Sequence, residues 1–272
     1  MKIANHRLTG DSVKYKESPN HSGTLNPDTI VVHYTAGRDA ESSVRTLVDP
    51  DAKASAHLVV GRKGEIFQLV PFNVIAWNAG RSAYQGRVGF NKYSIGIEID
   101  NAGPLTKNGD NYTSWFGRNY PESEVFYGIH RNQTAPKYWH RYSEEQILIV
   151  EDLCRVLIKT YPGISQILGH EEIAPQRKTD PGPAFPLDKL RSNILFSSRE
   201  EDAEPALEFP AAGVVSASKL NIRSSASGAG EKVANPLPRN SKVTVLEEKN
   251  GWYRVRTEIE GWVSANFVDI EN

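Results

Sequence analysis

A chain of 272 residues exceeds one average domain and can bury at least one sizeable core. A formal net charge of −1 gives no electrostatic footprint for nucleic acid or an anionic membrane as main partner, and the single cysteine, Cys154, excludes an intramolecular disulfide. No stretch approaches ~20 consecutive apolar residues, so no membrane-spanning helix is expected. The opening MKIANHRLTG lacks an apolar run after its basic residue; no signal peptide is read there, and synthesis in the cytoplasm is expected.

Residues 1–28 are polar, carry Pro19, Gly23 and Pro27, and read as loop. Ile30-Val31-Val32 is a short β-branched apolar run and predicts a buried strand. His33 stands at its exit, followed by Tyr34 and Thr35, and Gly37 breaks the strand. A histidine there is placed to line a site at the sheet edge; the alternative is a core histidine satisfied by hydrogen bonds. Ser42–Val48 fits a short helix. Residues 54–60 and 65–70 flank the turn Gly61-Arg62-Lys63-Gly64 and predict a hairpin. His57 lies in its first strand beside Leu58, Val59 and Val60, as structural support or as a ligand or substrate contact. Residues 71–93 form a long connection, where Trp77 and Tyr84 either wall a substrate site or pin the loop to the core.

Residues 94–100, SIGIEID, alternate with period two. Ile95, Ile97 and Ile99 take one face, and Glu98 takes the other with Gly96 beside it. A carboxylate in mid-strand next to a small residue suits a general base facing a cleft; the alternative is a solvated charge. Residues 101–142 are rich in aromatics and turn formers, which predicts weak strands that either cap the core or wall a groove. His130 and His140 lack a partner motif there and read as non-ligands. Ser143–Tyr161 is a helix: Ser143 is the N-cap, Gln146 completes a capping box, and Glu144 and Glu145 suit the positive end of the dipole. Ile147, Val150, Cys154, Leu157 and Tyr161 share a face, which makes Cys154 core and not a nucleophile.

After Pro162-Gly163 comes the stretch 167–186, ILGHEEIAPQRKTDPGPAFP. Pro175, Pro181, Pro183 and Pro186 exclude a helix interior and predict a stiff, short loop. That loop carries His170, Lys178 and Asp180, with Asp180 biased to an extended backbone by the proline after it. Imidazole and carboxylate are good zinc ligands, two are too few for a tight site, and His33 is the best third donor. Two histidines and one carboxylate leave one Zn2+ with an open position for water, as catalytic sites do. Glu98 would carry the water's proton to a leaving amine, and Lys178 would stabilise the oxyanion. The chemistry expected is metal-assisted hydrolysis of an amide.

Residues 187–196 fit a last short helix. The acidic run REEDAEPALE at 199–208 reads as a solvated linker. From Gly213 short strands and turns succeed one another, which predicts a small β-barrel. The expected organisation is an α/β domain at 1–196, a linker at 197–212 and a β domain at 213–272.

The pieces VVHYTAG, SAHLVVGRKGEIFQLV, WNAG, SIGIEID and GHEEIAPQRKTDPGPAFP occur in that order. Over roughly residues 28–190 they resemble the type-2 N-acetylmuramoyl-L-alanine amidases, relatives of peptidoglycan recognition proteins and amidase-type phage lysozymes. The resemblance implies a central mixed β-sheet flanked by helices. It implies cleavage of the amide between the lactyl group of N-acetylmuramic acid and L-alanine. By it His33, His170 and Asp180 match the zinc ligands, Glu98 the catalytic glutamate and Lys178 its assisting lysine. Tyr34 beside His33 is a candidate substrate contact; so is His57, at a position commonly histidine near the substrate. Asn78 stands where many relatives read WHAG and is a third candidate.

Residues 213–270 resemble a bacterial SH3 domain through LNIRSSAS, NGWYRVRT and EGWVSANFV. Trp252 and Trp262 there either bind cell wall or fill a barrel core. Asn240, where glycine is frequent, tolerates a left-handed turn. The partners implied are peptidoglycan or muropeptides, with no nucleic acid and no membrane insertion. Action at the cell wall or periplasm, reached by a non-Sec route, is the corresponding location. The competing expectations are a cytoplasmic muropeptide-recycling amidase and a non-catalytic peptidoglycan-binding protein.

Overall fold

The structure is a computed structural model that describes residues 1–196 and 209–258 except 218, 227, 229 and 250. The chain divides into two units, Met1–Glu200 and Glu201–Asn272. The first runs β1 (Val13–Tyr15), β2 (Thr29–Tyr34), α1 (Ala40–Val48), β3 (Leu58–Val60), β4 (Ile66–Gln68), β5 (Ser94–Ile99), β6 (Pro104–Asn108), β7 (Asn111–Thr113), β8 (Asn119–Tyr120), β9 (Val125–Ile129), β10 (Pro136–His140), α2 (Glu144–Thr160), β11 (Gln166–Gly169), α3 (His170–Ile173) and α4 (Leu187–Arg191).

Six strands form a mixed sheet in the order β11–β2–β5–β3–β4–β1. β5 lies parallel to β2 and β3, β11 parallel to β2, and β1 parallel to β4, while the β3–β4 hairpin is antiparallel. The central strands are covered on both faces, which is why β2 reads as a continuous apolar run. On one face Ile30, Val32, Ile95, Ile97 and Ile99 pack with Val150, Leu153, Cys154 and Leu157 of α2. Burying a leucine such as Leu157 contributes roughly 1.5–3 kcal/mol, and Leu157→Ala would cost about 2–5 kcal/mol. Cys154 is fully buried within this layer, and burial pushes its thiol up.

The expected capping box of α2 is present. Gln146 N donates to Ser143 Oγ at 3.2 Å, and Ser143 N donates to Gln146 Oε1 at 3.0 Å. α1 starts earlier than Ser42, because the Asp39 carboxylate accepts from Ser42 N at 2.6 Å and serves as its cap. Residues 1–28 are not simply loop. They hold β1 and short strands at Lys2–Ala4, Arg7–Thr9 and His21–Thr24. β1 has three residues and pairs with β4 far along the chain, so it carries no local signal.

The aromatic segment after β5 makes a second sheet, in the order β8–β7–β6–β10–β9, with all its pairs antiparallel. Ala102, Leu105, Tyr112, Tyr120 and Val125 give it a small core of its own. His130 and Arg131 tie it to α3 through Glu171 at 2.6 and 3.1 Å. In the second unit, β12 (Ala211–Val214), β13 (Lys242–Lys249) and β14 (Trp252–Arg256) form an antiparallel sheet, and Lys219–Leu220 pairs with Leu237–Pro238. Asn240 takes φ +67°, the left-handed turn its residue type allows. Trp252 is half-buried; Trp262 and the acidic run 199–208 lie outside the described residues. Among the described residues no helix is long and apolar enough to cross a membrane.

Candidate active site

β2, β5 and β11 are adjacent and parallel, so their carboxyl ends open side by side, where α/β sheets build their sites. Glu98 stands in register with His33, and Gly96 with Val31. The pleat puts all four on the face away from α2. His170 follows β11 at once and opens the single helical turn α3, where the sequence predicts loop. The prolines begin only at Pro175, so nothing forbids that turn. Glu171 N then donates to Asp180 O at 2.8 Å, which brings Asp180 back beside the two histidines.

His33 Nδ1, His170 Nδ1 and Asp180 Oδ2 lie 2.9 Å from one another in all three pairs, and all three residues are buried. The far nitrogens are occupied: His33 Nε2 lies 3.3 Å from Asn78 Oδ1, and His170 Nε2 lies 3.1 Å from Ala79 O. Each Nε2 therefore donates outward, so both Nδ1 atoms face a common centre, where their lone pairs are free for a cation once His33 Nδ1 gives up the proton it shares with Asp180. Ligand atoms around a tetrahedral zinc with bonds of ~2.0–2.1 Å sit about 3.3 Å apart, so this donor set fits one such ion after a small expansion. The charges agree. Burial works against protonated His33, yet the hydrogen bond with Asp180 and the charge of Glu98 hold its pKa above the ordinary value. Burial and the His33 charge push His170 down to about 4. Burial works against the Asp180 carboxylate too, but its hydrogen bonds to both histidines hold it well below the usual range. The centre favours a cation.

Among the described residues Glu98 Oε2 is buried without a hydrogen-bond partner. Burial lifts its pKa to about 7; the charges of His33 and Lys178 pull down and that of Asp180 pushes up. A carboxyl poised there can take and return a proton near neutral pH. Glu98, His170, Lys178 and Asp180 line one cleft of about 370 Å³, whose rim includes Tyr34, Ala36 and Trp77.

The candidate substrate contacts fall in different places. Tyr34 lines the cleft and its hydroxyl meets Thr179 Oγ1 at 2.6 Å. Asn78 also lines it, but its carboxamide lies over Gly96 and holds His33 from behind. A Cβ at Gly96 would come within 2.6 Å of Asn78, so the space read beside Glu98 is filled by this side chain. His57 is not brought to the cleft. It is fully buried, Nδ1 accepts from Gly96 N at 3.0 Å, and Nε2 donates to Val74 O at 2.9 Å. Burial lowers its pKa to about 4, so it is a neutral strut under β5. Trp77 walls the cleft, whereas Tyr84 packs edge-on against Phe90 in a cluster with Val31 and Leu168. Among the described residues the cluster of three donors does not include His130 or His140.

Sequence reasoning misses two supports. Arg177 Nη2 donates to Ala79 O at 2.9 Å and Arg81 O at 2.8 Å, fixing the carbonyl that orients His170. Buried Glu171 accepts from His130 Nε2 at 2.6 Å and Gly182 N at 3.1 Å, so it ties the inserted sheet to both ends of the ligand loop. The signal for Arg177 was its place in the motif; His130 and Glu171 are 41 positions apart and carry no joint signal.

The profile described as N-acetylmuramoyl-L-alanine amidase matches residues 23–183, and that of the bacterial SH3 domain matches residues 218–269. The chain is 34% identical over 165 residues to the 1,6-anhydro-N-acetylmuramyl-L-alanine amidase AmpD of Salmonella typhimurium, spanning 57% of this chain and 70% of that protein. It is 34% identical over 169 residues to the N-acetylmuramoyl-L-alanine amidase AmiD of Escherichia coli, spanning 59% of this chain and 51% of that one. The crystal structure of a selenomethionine AmpD derivative superposes with a TM-score of 0.51 at 28% identity, covering 71% of this chain and 99% of that chain. The mixed sheet, the buried His-His-Asp cluster at its carboxyl edge and these matches make the chain a member of the N-acetylmuramoyl-L-alanine amidase family, joined to a bacterial SH3 domain.

Proposed function

We propose that this enzyme uses one zinc ion to hydrolyse the amide between N-acetylmuramic acid and the L-alanine of the stem peptide in peptidoglycan. The observation that carries the reading is the convergence of His33 Nδ1, His170 Nδ1 and Asp180 Oδ2 beside Glu98, a carboxyl held near pKa 7. His33, His170 and Asp180 would hold the ion, and bound zinc supplies Lewis acidity to the scissile carbonyl and to the attacking water. Glu98 Oε2 takes one proton from the water as its oxygen bonds to the carbonyl carbon. The Lys178 ammonium, on the same cleft wall, offsets the charge that develops on the carbonyl oxygen. Glu98 returns its proton to the nitrogen as the C–N bond breaks, and the second proton of the water passes from the new carboxylic acid to the amine, so the products are a lactyl carboxylate and a peptide ammonium. Asn78 and the Ala79 carbonyl keep the imidazoles aimed throughout.

The test is mass spectrometry of products from purified sacculi, with and without a chelator and after zinc is restored. Release of stem peptides beginning with L-alanine, lost on chelation and recovered with zinc, is expected. Cleavage of soluble muropeptides alone would assign a recycling role. No cleavage of either by zinc-loaded protein would refute the proposal.

A further inference from the structure

The inserted sheet sends one hairpin to the mouth of the cleft. β7 and β8 are joined through residues 114–118, closed by Ser114 N to Arg118 O and Gly117 N to Ser114 O, both 2.9 Å. Trp115 sits at the tip. Its Nε1 donates to Ala36 O at 2.8 Å, and Ala36 lines the cleft that holds Glu98. Arg118 donates to Arg38 O at 3.3 Å, so the hairpin is fastened to the cleft rim at two points. Phe116 meets the indole edge-on at 5.5 Å. Yet Trp115 remains 76% exposed. Its one polar atom is satisfied, its orientation is fixed, and its ring is left to solvent at the entrance of the site.

We propose that Trp115 is a stacking platform for a pyranose ring of the glycan strand that continues out of the cleft, which makes polymeric glycan the preferred substrate; this rests on the amidase reading above. A pyranose has a flat C–H face with polar groups around its edge, which matches an indole whose face is apolar and whose N–H is already bonded. The Arg38 and Arg118 guanidiniums lie over the Phe116 and Tyr120 rings, which leaves the indole as the surface offered outward. A second copy of the chain is a poor occupant. A stable protein interface needs about 800 Å² per partner, whereas one tryptophan offers about 200 Å².

The experiment compares the full chain with Trp115→Ala and Trp115→Phe. Their kcat/KM is measured on peptide-bearing glycan strands several disaccharides long and on a single muramoyl-peptide. Trp115→Ala is expected to lower the ratio of strand to fragment kcat/KM roughly tenfold, through KM, and Trp115→Phe to recover most of it. An unchanged ratio would overturn the platform while leaving the amidase reading intact. A Trp115→Phe variant as poor as Trp115→Ala would overturn it too, because the anchor to Ala36 and not the ring face would then be what matters. If the unaltered protein cleaves neither substrate, the amidase reading fails, and calorimetric titration with a peptide-free GlcNAc–MurNAc tetrasaccharide decides. Weaker binding by Trp115→Ala supports the platform; equal binding overturns it. Concentration-dependent dimerisation abolished by Trp115→Ala would assign the indole to a second copy and also overturn it.

Discussion

Gly96→Ala tests the link between the sheet and the metal ligands. The new Cβ would stand 2.6 Å from the Asn78 carboxamide carbon, whereas ordinary contact begins near 3.4 Å, so one group must retreat by about 0.8 Å. β5 cannot retreat, because Gly96 N donates to His57 Nδ1 at 3.0 Å and Gly96 O accepts from His57 N at 3.1 Å. The carboxamide must move, and with it goes the 3.3 Å hydrogen bond that orients His33. Overpacking of this kind costs about 1–3 kcal/mol, and losing the outer partner of a ligating histidine lowers metal affinity about 10–100-fold. Thermal unfolding of the metal-free protein reads the first effect, and competition with a chromogenic zinc chelator reads the second. Asn78→Ala alone should lose affinity to the same extent with less loss of stability. The double variant should regain stability relative to Gly96→Ala but not affinity. If Gly96→Ala, or Asn78→Ala, binds zinc as tightly as the parent, the proposed support of His33 by Asn78 is wrong.

Glu98→Gln should lower kcat about 10²–10⁴-fold while zinc content, read by elemental analysis, stays at one per chain. His57 sets an acid limit on stability. Its folded pKa of about 4 lies below its ordinary 6.5, so between those values the unfolded chain binds a proton that the folded chain does not. Stability should therefore fall as pH drops from about 6.5 towards 4, by up to about 3 kcal/mol, with no contribution from His57 above that window. Urea titrations at stepped pH, set against His57→Gln, measure the slope; an identical slope in the variant would remove His57 as its source. Glu171→Ala orphans the buried His130 ring and Gly182 N–H, so it should cost about 1–3 kcal/mol in metal-free thermal unfolding. It should also weaken zinc retention under chelator, because it frees the turn that returns Asp180 to the site.

The convergence of the three candidate ligands was legible because two kinds of local signal met. The apolar run before His33 and the alternation through Glu98 placed both residues on strands with a known facing. The proline-rich motif kept Asp180 close in sequence to His170. Legibility stopped where position depends on contacts across the chain. Asn78 is one residue in a long connection, and nothing nearby reveals that Gly96 is small in order to receive it. His57 looked equally suited to core and cleft, and its neighbours across the sheet decided between them. The inserted sheet has strands of two to five residues, too short for a period to declare itself, and the anchor of Trp115 to Ala36 spans 79 positions.

The separation of the ligands has a consequence for how the chain reaches its native state. His33 and His170 are 137 positions apart, and they meet only after β2 has docked between β5 and β11. Pairings of such high contact order form late and slowly. An extended chain offers a cation no more than His170 and Asp180, ten positions apart, which is too sparse a chelate to nucleate anything. A bound ion would thus act as a latch on a finished structure. It should slow escape from the native basin while leaving the rate of entry almost untouched.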